Sequence, residues 1–439
     1  MMSSFETSAS KVGLSVEEWM DRAQTWLDEL QTPTGLRASS AADIFNALFG
    51  RDSLLTVMLV LEAARLRPTD TKLAGWAANL AANSLRALAA TQGTQERGEN
   101  EEQPGKIVHE YWPEVPERLQ GKDQESHWPL YEGRYYGSVD ATYLYLMAAG
   151  MVWEQVAGGR ELIESLWEHV LAALDWALNW GDVDGDGLVE VQPRQPQGRG
   201  LGNQVWKDSG DSLLLEDGGK PPPPVAWVEV QGYALAAFRS MRQILQARGQ
   251  APALQEELTA RIERIQQALL QFWLPAEGLP AMALTREKRP VPLLSSNPGH
   301  LLWCNALPSG YAEATASRML EGDLLTAWGI RTLASSSSAF DPLSYQRGSI
   351  WPFDNAIFAA ALWRMGRRAS AQMIGRRVLD AFGRFGTPVE LYCVLPAGWV
   401  RAPDLGTSEA LVVYPHACTV QAWSAAAMLL FGAQQLAEG

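Results

Sequence analysis

The sequence predicts an all-α chain folded as an (α/α)6 toroid, with six inner helices wrapped by six outer ones. Three observations point to this fold. Helical stretches with one apolar face alternate with stretches that are apolar nearly all round, and a helix without a polar face must be buried on every side. The links that leave an all-apolar stretch are short. The links that enter one are long.

Taken in order, the one-faced stretches lie near 16–30, 72–90, 160–179, 252–273 and 369–382, with a weaker one near 323–334. In 252–273, Leu254, Leu258, Ile262, Ile265, Leu269 and Phe272 recur every three or four positions with charges between them. The all-apolar stretches are 54–64, 139–153, 225–238, a short 311–320, 350–363 and 418–431. Short links fall at 67–71, 157–159, 248–251, 321–322 and 366–367. Long links fall at 31–49, 91–134, 180–224, 274–308, 335–349 and 383–417. Because successive helices run antiparallel, all six long links gather at one mouth of a single domain spanning 1–439. That mouth lies at the N-terminal ends of the inner helices, where ligand sites are favoured.

Composition narrows the function classes. Of 439 residues, 47% are hydrophobic and 20% charged, which suits a large buried core. The formal net charge of -14 works against binding nucleic acid or an anionic membrane surface and favours a neutral partner. The 18 tryptophans are many for this length, and several fall in the long links: Trp112, Trp128, Trp206 and Trp399. Solvent-facing indoles there suggest stacking on a flat apolar ligand face. Three widely spaced cysteines give no disulfide framework. The opening MMSSFETSASKVGLSVEEW has no apolar core for a secretory signal, and no run of about 18 uncharged apolar residues follows. A cytoplasmic protein is the simplest expectation.

Each long link ends in a group of polar and aromatic residues. The first closes with GRDSLL, where Arg51 and Asp52 precede an inner helix and can grip hydroxyl groups. The second carries HEYWPE, with Tyr111, Trp112 and Glu114, then YYGSVDAT, with Tyr136 and Asp140. The third holds DVDGDGLVE, which is no EF-hand: counted from Asp182, the twelfth position is Pro193 rather than Glu. It continues into GNQVWKDSGDS, with Trp206, Lys207, Asp208 and Asp211, and VEVQGY, with Glu229 and Gln231. Carboxylates beside an indole fit a sugar-binding surface, although Asp208 and Asp211 also suit turn positions.

The fourth link contains NPGHLLWC and the sixth YPHAC, but His300, Cys304, His416 and Cys418 match no zinc spacing, so buried thiols and no metal are expected. The fifth brings YQRGSIWPFDN, with Tyr345, Arg347, Trp351 and Asp354 at one helix start. The sixth contributes PVELYC, with Glu390 and Tyr392, on a loop bracketed by Gly386 and Gly398. GxSxG, HExxH and a phosphate-cradling glycine loop are missing from the sequence.

Read together, GRDSLL, HEYWPE, YYGSVDAT, NQVWKDSGDS, VEVQGY, NPGHLLW, SYQRGSIWPFDNA, PVELYC and YPHACTVQAW resemble the amylo-α-1,6-glucosidase group, the glucosidase domain of glycogen debranching proteins. The resemblance runs from about residue 45 onward and implies an (α/α)6 glycosidase. It implies Asp208 as general acid and Glu390 as general base, with Arg51 and Asp52 holding the terminal sugar. It implies a carbohydrate partner and no cofactor. Tyr111, Trp112, Glu114, Tyr136, Asp140, Trp206, Asp211, Glu229, Gln231, His300, Tyr345, Arg347, Trp351, Asp354 and Tyr392 are expected to contact substrate, and Lys207 either binds it or points away from Asp208.

The N-terminal β-rich domain that debranching relatives often carry is not recognisable, nor is a transferase domain, which leaves room for a small glycoside such as glucosylglycerate or mannosylglycerate. Basic residues at the rim would mark that alternative, with Arg194, Arg199 and Arg347 as candidates. A non-catalytic sugar-binding protein is a weaker one.

Overall fold

The computed structural model describes residues 13–120, 128–195, 199–396 and 409–437. Trp399 lies outside them. In chain order the helices are α1 (Val16–Leu30), α2 (Gly50–Arg65), α3 (Thr71–Ala90), α4 (Glu117–Gln120), α5 (Asp140–Gln155), α6 (Gly159–Ser165), α7 (Trp167–Asn179), α8 (Val228–Ala247), α9 (Pro252–Ala268), α10 (Pro298–Trp303), α11 (Ser309–Arg318), α12 (Pro352–Arg364), α13 (Arg368–Phe385) and α14 (Ala422–Leu436).

Helices α2, α5, α8, α10, α12 and α14 form the inner ring. Each packs on the next, and α14 packs back on α2 to close the circle. The outer ring is α1, α3, the broken pair α6 and α7, α9, α11 and α13, each against its inner neighbour. Burial follows the predicted two kinds. In α2 every residue from Gly50 to Ala63 is buried, whereas α9 buries only Leu258, Ile262, Ile265 and Ala268. One continuous hydrophobic core joins all of these helices.

The fourth hairpin departs from the sequence reading. Its inner helix is α10, not 311–320, and every residue of α10 is buried. Helix α11, which takes the place of that stretch, is an outer helix with only Thr315 and Ala316 buried. The stretch expected as a fourth outer helix, near 323–334, instead holds a two-stranded hairpin, Leu325–Thr326 against Gly329–Ile330. Gly329 turns that hairpin at φ +132, a backbone conformation that side chains rarely adopt. The six residues of α10 are too few to display a helical period, which is why they read as loop. The alternation of short and long links survives the shift, because 304–308 is now the short one and 319–351 is long.

Short strands stitch the long links together at the mouth. Leu48–Phe49, Glu110–Tyr111 and Arg134–Tyr135 form a three-stranded antiparallel sheet joining the first link to the second. Tyr392–Leu395 pairs with Ala410–Val413 in the sixth. No helix among the described residues is long and apolar enough to cross a membrane.

Candidate active site

The inner helices deliver their first turns to the mouth of the ring. Asp52, Asp140, Glu229 and Asp354 each lie in the first turn of an inner helix, where free backbone N–H groups favour negative charge. Above them opens a cavity of about 290 Å³. Arg51, Asp52, Trp206, Asp208, Tyr345, Trp351 and Glu390 line it, so expected site residues from several different links meet there.

Arg51 is the hub on one side. It is buried, and its Nε donates to Asp140 Oδ2 at 2.7 Å while Nη1 reaches Asp208 Oδ2 at 3.4 Å. Asp208 also accepts from Gln346 Nε2 at 3.5 Å. Both contacts to Asp208 are long, and 25% of its side chain remains open. Its loop is held by Gln346, which donates to Trp206 O and accepts from Ser209 N. Opposite, Glu390 is gripped more firmly. The Tyr345 hydroxyl donates to Oε1, and the Cys418 backbone N–H donates to Oε2 at 2.9 Å. Asp52 Oδ1 accepts from Gln421 Nε2 at 3.0 Å.

These carboxyls titrate high because they stand away from bulk water. Burial pushes Asp208 up to about 6, with Arg51 pulling the other way. Glu390 rises to about 7 through burial, opposed by its bonds to Tyr345 and Cys418 and reinforced by the charge of Asp208. Asp52 rises to about 8, again by burial and against Arg51. The cavity therefore offers one loosely held carboxyl and one doubly held carboxyl that exchange protons near neutrality. That is the equipment of general acid and base catalysis.

Residues 142–389, more than half of the chain, match the family described as the mannosylglycerate hydrolase MGH1-like glycoside hydrolase domain. The chain belongs to that family. As an MGH1-like glycoside hydrolase it is also similar in fold to solved structures. The GH63 mannosylglycerate hydrolase from Thermus thermophilus in complex with Tris superposes with a TM-score of 0.67 at 14% identity, covering 94% of this chain and 99% of that one. The same enzyme in complex with glucose gives 0.64 at 15% with the same coverage. A glycosidase variant in complex with glucose gives 0.58 at 12%, covering 96% and 99%. These likenesses support the toroid. No curated protein matches the chain in sequence.

Several expected contacts of this glycoside hydrolase lie behind the cavity rather than in it. Lys207 is buried and donates to Thr332 O at 2.7 Å, pointing away from Asp208. His300 lies under Trp206, its ring stacked at 5.8 Å, and is held by Asp354 at 2.8 Å and the Tyr233 hydroxyl at 2.5 Å. Asp140 backs Arg51. Glu229 accepts from Asn297, and Gln231 bonds the backbone of Val189 in both directions. The hydroxyls of Tyr136 and Tyr392 donate to the carbonyls of Thr91 and Trp328. Trp112 is buried against Phe49, so it presents no open face. Trp206 is equally buried, although it forms part of the cavity wall. Tyr111 lies under Arg134, and Glu114 is exposed away from the cavity. Asp211 and Arg347 pair with each other at 3.2 Å.

Sequence reasoning passed over part of the wall. Phe45, Phe49, His109, Glu110, Gln346, Gln421 and Trp423 also line the cavity, as does Trp128, one of the tryptophans singled out in the long links. Glu110 accepts from Trp112 Nε1 at 2.7 Å and from Trp128 Nε1, and burial raises it to about 7. The strand geometry of Glu110–Tyr111 held the signal: neighbours on a strand face opposite ways, so only one of Glu110 and Tyr111 can look inward. The three cysteines are buried, and His300 has both ring nitrogens engaged.

Proposed function

We propose that the chain is an inverting hydrolase of a small α-glycoside, with a glycosylglycerate as the substrate class. Asp208 protonates the leaving oxygen and Glu390 takes a proton from the water that attacks the opposite face of the sugar. Arg51 and Asp52 hold the sugar ring. Inversion requires the two carboxyl groups to stand about 6.5–9.5 Å apart with water between them.

The observation that carries this reading is the size of the cavity that Asp208 and Glu390 share. At about 290 Å³ it sits at the lower end of ligand cavities, roughly 300–1,000 Å³, and suits one sugar ring with a small aglycone. The resemblance to amylo-α-1,6-glucosidases suggested a branched glucan. A pocket of this size favours the small-glycoside alternative, and so does membership of a family described by mannosylglycerate hydrolysis. The acidic formal charge does not oppose it, because recognition of a single carboxylate needs only one local cation.

The test is hydrolysis of mannosylglycerate, glucosylglycerate, isomaltose, panose, maltose and trehalose, with the anomer of the released sugar followed by NMR. Preference for a glycerate glycoside with release of the β-anomer is expected. Faster cleavage of isomaltose or panose would restore the debranching reading, and release of the α-anomer would refute inversion.

A further inference from the structure

The DVDGDGLVE segment remains unexplained by the catalytic cavity. It forms a tight loop in which backbone amides fold onto their own carboxylates. Asp182 accepts from Gly185 N at 2.8 Å and Gly187 N at 3.0 Å, Asp184 from Asp186 N, Asp186 from Leu188 N at 2.8 Å and Glu190 from Val183 N at 2.9 Å. Carboxylate oxygens of Asp182, Asp184 and Glu190 converge within 4.8 Å of one another. Such a concentration of negative charge needs a cation to balance it.

The cation is already present in the chain. Lys288, from the fourth long link, inserts its ammonium among three carboxylates, 3.0 Å from Asp184 Oδ2, 2.9 Å from Asp186 Oδ2 and in contact with Glu190 Oε1. An ammonium has three donors and no acceptor, and here each donor has its own carboxylate. Arg261 neutralises Asp182 separately at 3.0 Å. Glu190 is the buried member of the group, and Lys288 itself is only 20% exposed. Lys288 reaches this position from a left-handed backbone conformation, φ 57, unusual for a residue with a side chain.

We infer that Lys288 is a built-in cation at the centre of this acidic loop, so that the loop folds without metal, and removing the ammonium opens a divalent-cation site. Calcium binds carboxylate oxygens in number at about 2.3–2.6 Å, and Asp184, Asp186 and Glu190, the carboxylates that the ammonium holds, supply them once the nitrogen is gone. The device bears on catalysis by position. Val189 and Val191, beside Glu190, are bonded to Gln231 and Val225, and the chain between Val191 and Val225 carries Asp208. Lys288 thus ties the fourth link to the base of the catalytic loop.

The experiment measures thermal unfolding of the full chain and of Lys288→Met, each in EDTA and in saturating calcium. The wild type is expected to unfold at the same temperature in both. Lys288→Met is expected to unfold earlier in EDTA and to regain temperature in calcium, because a ligand bound only to the folded state stabilises it. Terbium added to the variant, but not to the wild type, should give luminescence sensitised by Trp180, which lines the same cavity as Asp182 and Glu190. A wild type stabilised by calcium or weakened by EDTA would overturn the inference, as would a folded variant without response to either ion. If Lys288→Met does not fold in EDTA, its folding on addition of calcium supports the inference and failure in both overturns it, and Lys288→Gln, which keeps the side chain's polarity without its charge, is measured in the same way.

Discussion

Tyr345 donates its hydroxyl to Glu390 Oε1 while the Cys418 backbone N–H holds Oε2, so both oxygens of the proposed base are fixed from opposite sides. Hydrogen bonds to a carboxylate favour its charged form. Tyr345→Phe removes one of them and leaves only Cys418 to oppose burial. Because Glu390 is the higher of the two carboxyls, the alkaline limb of the kcat/KM profile is then expected to move up by about one pH unit and the maximum to fall, with little change on the acid side. An unmoved limb would show that Tyr345 serves packing alone.

The full profile follows from the two carboxyls. Asp208 near 6 and Glu390 near 7 titrate close together in one cavity, so the limbs belong to the pair rather than to either residue. Activity needs one proton on the pair: two protons leave no base, and none leaves no acid. A narrow bell between about pH 6 and 7 is expected for kcat/KM. A profile flat from about pH 5 to 9 would remove both assignments.

The roles within the pair separate by leaving group. Asp208→Asn is expected to lose roughly 10² to 10⁴ on a natural glycoside, and much less on an aryl glycoside whose leaving phenol needs no proton. Glu390→Gln should lose as much on both substrates, since the water still needs its base. Equal losses for Asp208→Asn on both substrates would contradict the acid role.

How far the sequence reaches is set by which interactions are local. Arg51 and Asp52 were legible because a helix start after a long link is a local pattern, and the alternating links place it at the mouth; Asp140 carries the same signal but backs Arg51 instead of facing the cavity. Tyr136, Gln231 and Tyr392 sat in equally suggestive motifs, yet their polar groups bond backbone of neighbouring links, and no local pattern reveals those partners. Gln421 and Trp423 were missed for the reverse reason, because the first turn of α14 reads only as an apolar helix. Trp206 was legible as a wall residue but not as a buried one, since the support beneath its loop, His300 held by Asp354 and Tyr233, comes from three helices distant in sequence.

The proposed aglycone calls for a cation beyond the sugar ring. Arg347 is engaged by Asp211 and Asp341, and Arg194 by Glu96. Arg199 has a buried Nε without a hydrogen-bond partner among the described residues, and it stands two residues before Leu201 of the cavity wall. Arg199→Gln is expected to raise KM for a glycosylglycerate about tenfold or more, the loss of one charged hydrogen bond, and to leave neutral aryl glycosides nearly unaffected. A matching loss on both would place Arg199 in loop structure instead.

Clustered acids carry a stability cost that catalysis accepts. Glu390 is 1% exposed and titrates near 7 in the folded protein, well above the usual carboxylate range. A raised folded value means the folded state holds the proton longer than the unfolded one, so its contribution falls as pH rises from about 4.5 through about 7. Glu390→Gln removes that ionisation while its amide can still accept from Cys418 and donate to Tyr345. The variant is therefore expected to exceed the wild type in unfolding free energy by about 1–3 kcal/mol at about pH 8 and to match it near pH 4. Urea denaturation at the two pH values measures the difference. A variant less stable than the wild type at the higher pH would mean that the ionised carboxylate, with its two donors, is already well accommodated by the fold.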